Sequence, residues 1–257
     1  MSIDPRAVID PGAVIADDVS IGPYSIIGAD VEIGAGTWIG PHVVIQGPTR
    51  IGRDNKFYQF SSIGEVPQDK KYHGEQSALV IGDGNVVREF CTLNRGTDDG
   101  GGETRIGSDN WIMAYVHIAH DCLVGDHTIF ANNASLAGHV RVEDHAILGG
   151  FTLVHQFTAI GAHSFTGMGS AISKDVPPYV MVNGNPAAPF GLNSEGLKRR
   201  GFSSELRSAI KQAYKLLYRS GKTTDEAIQG MSELAAQHDE VAYFVEFLRN
   251  SQRGVIR

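Results

Sequence analysis

The sequence predicts an all-β prism, a left-handed parallel β-helix, followed by a C-terminal α-helical bundle. A comb of large apolar residues at every sixth position points to the prism: Ile106, Ile112, Ile118, Val124, Phe130, Leu136, Val142, Leu148, Val154, Ile160 and Ile172, with only Thr166 breaking the set. An α-helix repeats every ~3.6 residues and an amphipathic strand every ~2, so neither produces a strict period of six; a triangular coil with one short strand and one corner per six residues does. The same comb opens the chain, from Ile3 through Ile9, Ile15, Ile21, Ile27, Ile33, Ile39, Ile45, Ile51 and Phe57 to Ile63 without a miss. After Ile172 it stops in a Pro-rich run, Pro177-Pro178 to Pro189, and helical patterns take over.

Taken in order, the β-helix unit is expected over residues 1–190, with about nine to ten coils and a height of ~45 Å at the inter-strand spacing. Glycines that follow comb residues, such as Gly22, Gly34, Gly82 and Gly107, suggest corners needing a permissive backbone. Two polar, off-pattern stretches near 65–79 and 96–104 read as loops extruded from corners, and the second shifts the comb by one residue before Ile106. The helical unit is expected over 191–257. A short helix lies around Glu195 to Arg200. A second starts at Ser203 or Ser204, runs through Leu206, Ile210, Tyr214 and Leu217, and ends at Gly221. Thr223 with Glu226 forms a capping box, and Asp239 starts a last helix carrying Val241, Phe244, Val245 and Leu248.

Composition excludes several classes. The chain holds 22 Lys and Arg against 29 Asp and Glu, a net −7 that argues against a general nucleic-acid binder. Cys91 and Cys122 are its only cysteines, at unrelated coil positions, so a disulfide framework is not expected and a reducing compartment is the default. The start of the chain lacks a basic region followed by an apolar run, and no stretch approaches the ~20 apolar residues of a membrane span, so the expected location is cytoplasmic, without membrane insertion. One segment departs from the acidic balance: Asn193 to Lys222 carries eight basic residues against Glu195 and Glu205. Within it, Lys198-Arg199-Arg200 beside Asn193 and Glu195 has the character of an anion or diphosphate site, because guanidinium forks match phosphate oxygens.

With three sixes per coil, residues 18 apart sit one above another, ~4.8 Å up the axis. Counted this way, His117, His120, His139 and His155 crowd onto one edge of the prism, Asp121 lies one coil below His139, and Gln156 two coils above His120. His127, His145 and His163 stack elsewhere and read as an exposed ladder. A prism edge is convex whereas small-molecule sites are concave, so the missing wall must come from another subunit or an extruded loop; three prisms side by side, a homotrimer, would supply it. Several His with one Asp and no Gly-x-Ser-x-Gly motif suit general-base activation of a hydroxyl or amine better than a covalent acyl-enzyme.

Five motifs, in order along the chain, carry a resemblance. Gln68-Asp69-Lys70-Lys71-Tyr72, His117-Ile118-Ala119-His120-Asp121, Leu136-Ala137-Gly138-His139, Val154-His155-Gln156-Phe157 and Asn193-Ser194-Glu195-Gly196-Leu197-Lys198-Arg199-Arg200 together resemble the UDP-N-acetylglucosamine O-acyltransferases among the hexapeptide-repeat acyltransferases. The resemblance implies transfer of an (R)-3-hydroxyacyl group from acyl carrier protein to the glucosamine 3-hydroxyl of UDP-N-acetylglucosamine, the opening step of lipid A synthesis, with no metal and no cofactor beyond the carrier's phosphopantetheine. It gives His120 the role of general base, Asp121 that of its orienting partner, and the Gly138 N–H that of oxyanion donor. Asp69, Lys71, His117, His139, His155 and Gln156 match sugar and pantetheine contacts, and Asn193, Glu195, Arg199 and Arg200 match the nucleotide end. The basic tail would meet the acidic carrier. Met168 stands where a compared family member has Gly, at the position closing the acyl tunnel, which implies a short donor near 3-hydroxydecanoyl. Alternatives are a γ-type carbonic anhydrase-like zinc enzyme, separable by metal analysis, and another hexapeptide acyltransferase; the related N-acyltransferase carries an extra N-terminal uridine-binding domain, which a comb starting at Ile3 leaves no room for.

Overall fold

The computed structural model describes residues 2–257. Strands of two to four residues at the comb positions stack into three parallel faces. The first runs from Ser2–Ile3 through Trp111–Ile112 to Phe165–Thr166, the second from Val8–Ile9 through His117–Ile118 to Ala171–Ile172, and the third from Val14–Ile15 through Leu123–Val124 to Ala159–Ile160. Register follows the comb, with Ile118 paired to Leu136 and Leu136 to Val154. Comb residues point inward: Ile39, Phe57, Ile63, Ile112, Phe130 and Leu136 have no exposed surface. Each coil thus adds apolar area to one axial core, at ~25 cal/mol per Å² removed from water. This is a left-handed β-helix with C-terminal helices.

The corners hold a correction. Left-handed backbone occurs three residues after a comb position and is carried mostly by residues other than glycine, among them Tyr24, Asp54, Tyr115, Asp121, His127 and His139. The glycines that directly follow comb residues serve close stacking instead. A Cβ on Gly34 would lie 2.6 Å from the Gly52 carbonyl oxygen of the next coil, and one on Gly22 2.8 Å from the Gly40 carbonyl carbon. Three edges result. The Tyr115 edge joins the first and second faces, the His120 edge the second and third, and the His145 edge the third and first.

Both excursions are present. The first lies between Glu65 and Ala78, so that Ile51 pairs with Ile81; the second lies between Asn94 and Glu103, includes a 3-10 turn at Asp98–Gly100, and makes Ile81 pair with Ile106. The comb also persists beyond Ile172. Val182 pairs with Thr166, and Val180–Asn183 folds back on Ala188–Leu192 as an antiparallel hairpin closing the first face. The Pro-rich composition hid these strands, because Pro189 sits in an outermost strand where its missing N–H costs no ladder bond.

Five helices follow: α1 (Ser194–Arg199), α2 (Ser204–Tyr218), α3 (Thr224–Gly230), α4 (Ser232–Gln237) and α5 (Asp239–Asn250). Ser203 caps α2 and the Thr223–Glu226 capping box starts α3. The sequence reading missed α4, which follows Met231 without a side-chain cap and buries no residue, so neither a start signal nor an apolar stripe marks it. Among the described residues, no helix is long and apolar enough to cross a membrane.

Candidate active site

His120 leaves the second face just after the strand His117–Ile118. Ile118 enters the core, Ala119 is buried, and the chain then turns through left-handed Asp121 (φ 59°), which throws the imidazole outward. Short polar Asp tolerates that conformation better than most residues. The Asp121 side chain is 1% exposed and that of His120 14%. His120 Nδ1 lies 2.7 Å from Asp121 Oδ2, so the ring donates from Nδ1 and leaves Nε2 as the acceptor. The carboxylate also accepts from the Thr97 N–H (2.7 Å, Oδ1) and the Thr97 hydroxyl (2.6 Å, Oδ2). His139, one coil up, crosses the His120 ring edge-on at 5.1 Å and itself stacks on Phe157 at 4.4 Å.

These groups open onto a cavity of about 670 Å³ lined by Gln68, Asp69, Lys70, Lys71, Asp99, Ala119, His120, His139, Gln156 and Phe157. Much of the missing concave wall is therefore supplied within the chain, by both excursions. The first is pinned by Arg95, whose guanidinium donates to the Gly47 and Gly64 carbonyls and approaches the Tyr72 hydroxyl. Electrostatics in the cavity are mixed. The Lys71 N–H, with smaller help from His120, lowers the Asp69 carboxyl below its usual range. Burial holds His139 below the ordinary imidazole range against the opposite pull of Asp121. A larger hollow of about 830 Å³ lies between the third face and α5, but Arg105 and Arg141 share its lining with Glu143, Asp239 and Glu240, and among the described residues no relay like that of His120 and Asp121 faces it.

Gly138 sits against the His120 ring. A Cβ there would lie 2.5 Å from His120 Cε1 and 2.6 Å from Nε2, so only glycine lets the ring occupy its place. Its N–H has no acceptor among the described residues. His117 is half-buried, bonded through Nδ1 to the Thr92 hydroxyl at 2.7 Å, and lowered in pKa by burial and then by His120. His155 is exposed, with Nδ1 3.1 Å from the Gln156 carbonyl. Cys122, next to Asp121, is buried with its thiol pushed up to about 12, so no thiolate nucleophile stands ready there. His120, Asp121 and His139 bring one nitrogen or oxygen each within 4.8 Å, yet both Asp121 oxygens are already engaged by Thr97 and His120.

The remaining candidates lie elsewhere in the chain. Asn193 caps α1, accepting from the Gly196 N–H, and its amide donates to the His163 carbonyl; the Arg200 guanidinium donates to the His145 carbonyl. Glu195 and Arg199 are exposed on the same short helix. The residues expected at the nucleotide end therefore sit on the His145 edge, a full face away from His120. Met168 is 78% exposed beside left-handed Gly169, on the Tyr115 edge, so the way to it from His120 includes a lateral step across the second face. The histidine ladder also departs from expectation: His127 is exposed, but His163 is half-buried against Tyr179 and Phe202. Thr97, Asp99, Gly100 and Phe157 were not foreseen, and only the comb shift before Ile106 hinted at the first three.

The family described as "Udp N-acetylglucosamine O-acyltransferase; Domain 2" matches residues 175–256, and "Bacterial transferase hexapeptide (six repeats)" matches 1–35, 30–65 and 103–138. The acyl-[acyl-carrier-protein]–UDP-N-acetylglucosamine O-acyltransferase of Thiobacillus denitrificans is 62% identical over 256 residues, covering 100% of this chain and 99% of its own. That of Stutzerimonas stutzeri is 58% identical, covering 99% of each. Among solved structures, LpxA from Acinetobacter baumannii superposes with a TM-score of 0.97 at 51% identity over 99% of both chains. UDP-N-acetylglucosamine O-acyltransferase (LpxA) from Moraxella catarrhalis superposes at 0.98 and 48% identity over 100% of both. Fold, repeat and full-length similarity thus converge: the chain belongs to the acyl-[acyl-carrier-protein]–UDP-N-acetylglucosamine O-acyltransferases and is an acyltransferase.

Proposed function

We propose that this enzyme transfers an (R)-3-hydroxyacyl group from acyl carrier protein to the 3-hydroxyl of UDP-N-acetylglucosamine, in the cytoplasm, with His120 as general base. The observation that carries this is the relay of Thr97, Asp121 and His120, which fixes the imidazole with Nε2 free toward a cavity lined by Asp69, Lys71 and Gln156. Nε2 takes the hydroxyl proton as the sugar oxygen attacks the thioester carbon. The resulting oxyanion meets the Gly138 N–H, a contact often worth ~3 kcal/mol in the transition state. Collapse expels the pantetheine thiolate, and the imidazolium returns the proton to it. His117, His139 and His155 complete the polar edge along which sugar and pantetheine lie.

The separation of the His120 and His145 edges supports a homotrimer in which a neighbour's Asn193, Glu195, Arg199 and Arg200 face each His120. An exposed aromatic column points the same way: Tyr24, His42, Phe60, Phe90 and Tyr115 stack along the Tyr115 edge at 4.8–5.3 Å between ring centres. Large rings exposed in such a row, Tyr24, Phe60, Phe90 and Tyr115 among them, call for a partner surface. In this assembly Met168 closes the acyl path and favours a short donor. Residues 1–190 act as the β-helix unit, and the basic 191–257 unit receives the acidic carrier. The carbonic anhydrase-like alternative is set aside by the full-length kinship to acyltransferases.

Purified protein with UDP-N-acetylglucosamine and carrier-bound 3-hydroxyacyl thioesters of graded length tests the proposal. Acylated UDP-sugar, identified by mass spectrometry and most abundant with the ten-carbon donor, is the expected result. No transfer with any hydroxyacyl donor would overturn the reading, and a preference for fourteen carbons would remove Met168 from it.

A further inference from the structure

We propose that Thr97 is a positioning residue: the second excursion serves to clamp the Asp121 carboxylate so that its Oδ2 stays on His120. The inference rests on the reading of His120 as base and adds to it the reason for an insertion that the repeat does not need. Between Leu93 on the second face and Ile106 on the third the chain spends 13 residues where one side of a coil takes ~6, and the 3-10 turn within this insertion buries no residue of its own. Thr97, just before that turn, is buried, at 4% exposure. Both of its donors are spent on one carboxylate, the N–H on Oδ1 at 2.7 Å and the hydroxyl on Oδ2 at 2.6 Å.

The turn locks Thr97 in return, since its carbonyl accepts from the N–H groups of Gly100 (3.1 Å) and Gly102 (2.8 Å). Gly100 lies flat against the carboxylate; a Cβ there would be 1.9 Å from Asp121 Cγ. From behind, the Asp121 N–H donates to Thr104 Oγ1 at 2.8 Å. A carboxylate gripped at both oxygens cannot rotate about its Cβ–Cγ bond. That matters because Oδ2 has a second suitor, His139 Nε2, at 3.7 Å. With the Thr97 hydroxyl gone, Oδ2 is free to swing toward His139, and His120 loses the partner that fixes its tautomer and direction.

The test uses the full-length enzyme. Thr97→Val keeps the N–H and the volume but drops the hydroxyl, and Thr97→Ser keeps the hydroxyl. The Val variant should lose about tenfold or more in kcat with KM for UDP-N-acetylglucosamine within about twofold, while the Ser variant stays within about threefold of the parent, as expected when only the orientation of a base changes. Gly100→Ala, which pushes the carboxylate without touching Thr97, should also lower kcat, and it decides the matter if the Val variant does not fold. Parental kcat in Thr97→Val or in Gly100→Ala, or a Ser variant as damaged as the Val variant, overturns the clamp. His120→Ala separates the two readings: an inactive His120→Ala beside a fully active Thr97→Val sinks the clamp alone, whereas an active His120→Ala sinks the base.

Discussion

A single hydrogen decides the geometry at Gly138, where a methyl group would overlap the His120 ring. Gly138→Ala should therefore lower kcat by about a hundredfold or more, in the range of losing a positioned base or an oxyanion donor, while thermal unfolding stays near the parent's; kinetics within tenfold of the parent would contradict the packing argument. His163 offers a second test at this scale. Burial, and then the charges of His145 and Arg200, hold it at about 4 against an ordinary 6.5. Between those values the unfolded chain binds more protons than the folded one, so stability is present above about 6.5 and is lost as pH falls toward about 4. His163→Gln should flatten the decline in Tm across that window; an unchanged slope would mean the ring is better solvated than its neighbours Tyr179 and Phe202 suggest. Legibility divided sharply among such residues. His120, Asp121, His139 and Gln156 could be placed together because each keeps its count of 18 along an unbroken comb. Thr97, Asp99 and Gly100 could not, because the excursion that holds them has no period from which a position in space follows.

The elements themselves were readable wherever a periodic pattern or a cap existed. Comb, loops and capped helices all appear where the sequence put them. The hairpin at Val180–Asn183 and Ala188–Leu192 lay under prolines, and α4 lacks both stripe and cap. Glycine was misread for a physical reason: the corner conformation is borne by Asp, His, Tyr and Phe, and the glycines answer to the ~4.8 Å stacking of coils. The proposed acyl path across the second face sets the donor-length prediction. Met168 protrudes at the far side of that face from His120, and once a neighbouring surface packs it in the proposed assembly, extra methylenes forced against it would cost ~1–3 kcal/mol. Met168→Gly should shift the preferred donor toward longer chains in a competition assay; no lengthening would show that the methionine swings aside.

For the whole molecule, the division of the candidate residues between two prism edges is the central structural fact. His120 and its relay occupy one edge, Asn193 and Arg200 are tied to another, and a face of the prism separates them. On the proposed reading, a substrate that holds its sugar against His120 and its diphosphate against Arg199 meets these edges on different subunits. Sequence arithmetic could anticipate the need for a second wall but not the edge on which Asn193 and Arg200 lie, since that depends on where the helical tail folds back onto the prism. Mixed trimers test the account most directly. His120→Ala and Arg199→Ala chains, each expected to be severely impaired alone at low UDP-sugar, are co-expressed and assayed together. With random assembly about a quarter of the inter-subunit sites pair an intact His120 with an intact Arg199, so activity should recover to about that fraction of the parent's. Recovery no greater than that of the better single variant would contradict a site shared between subunits.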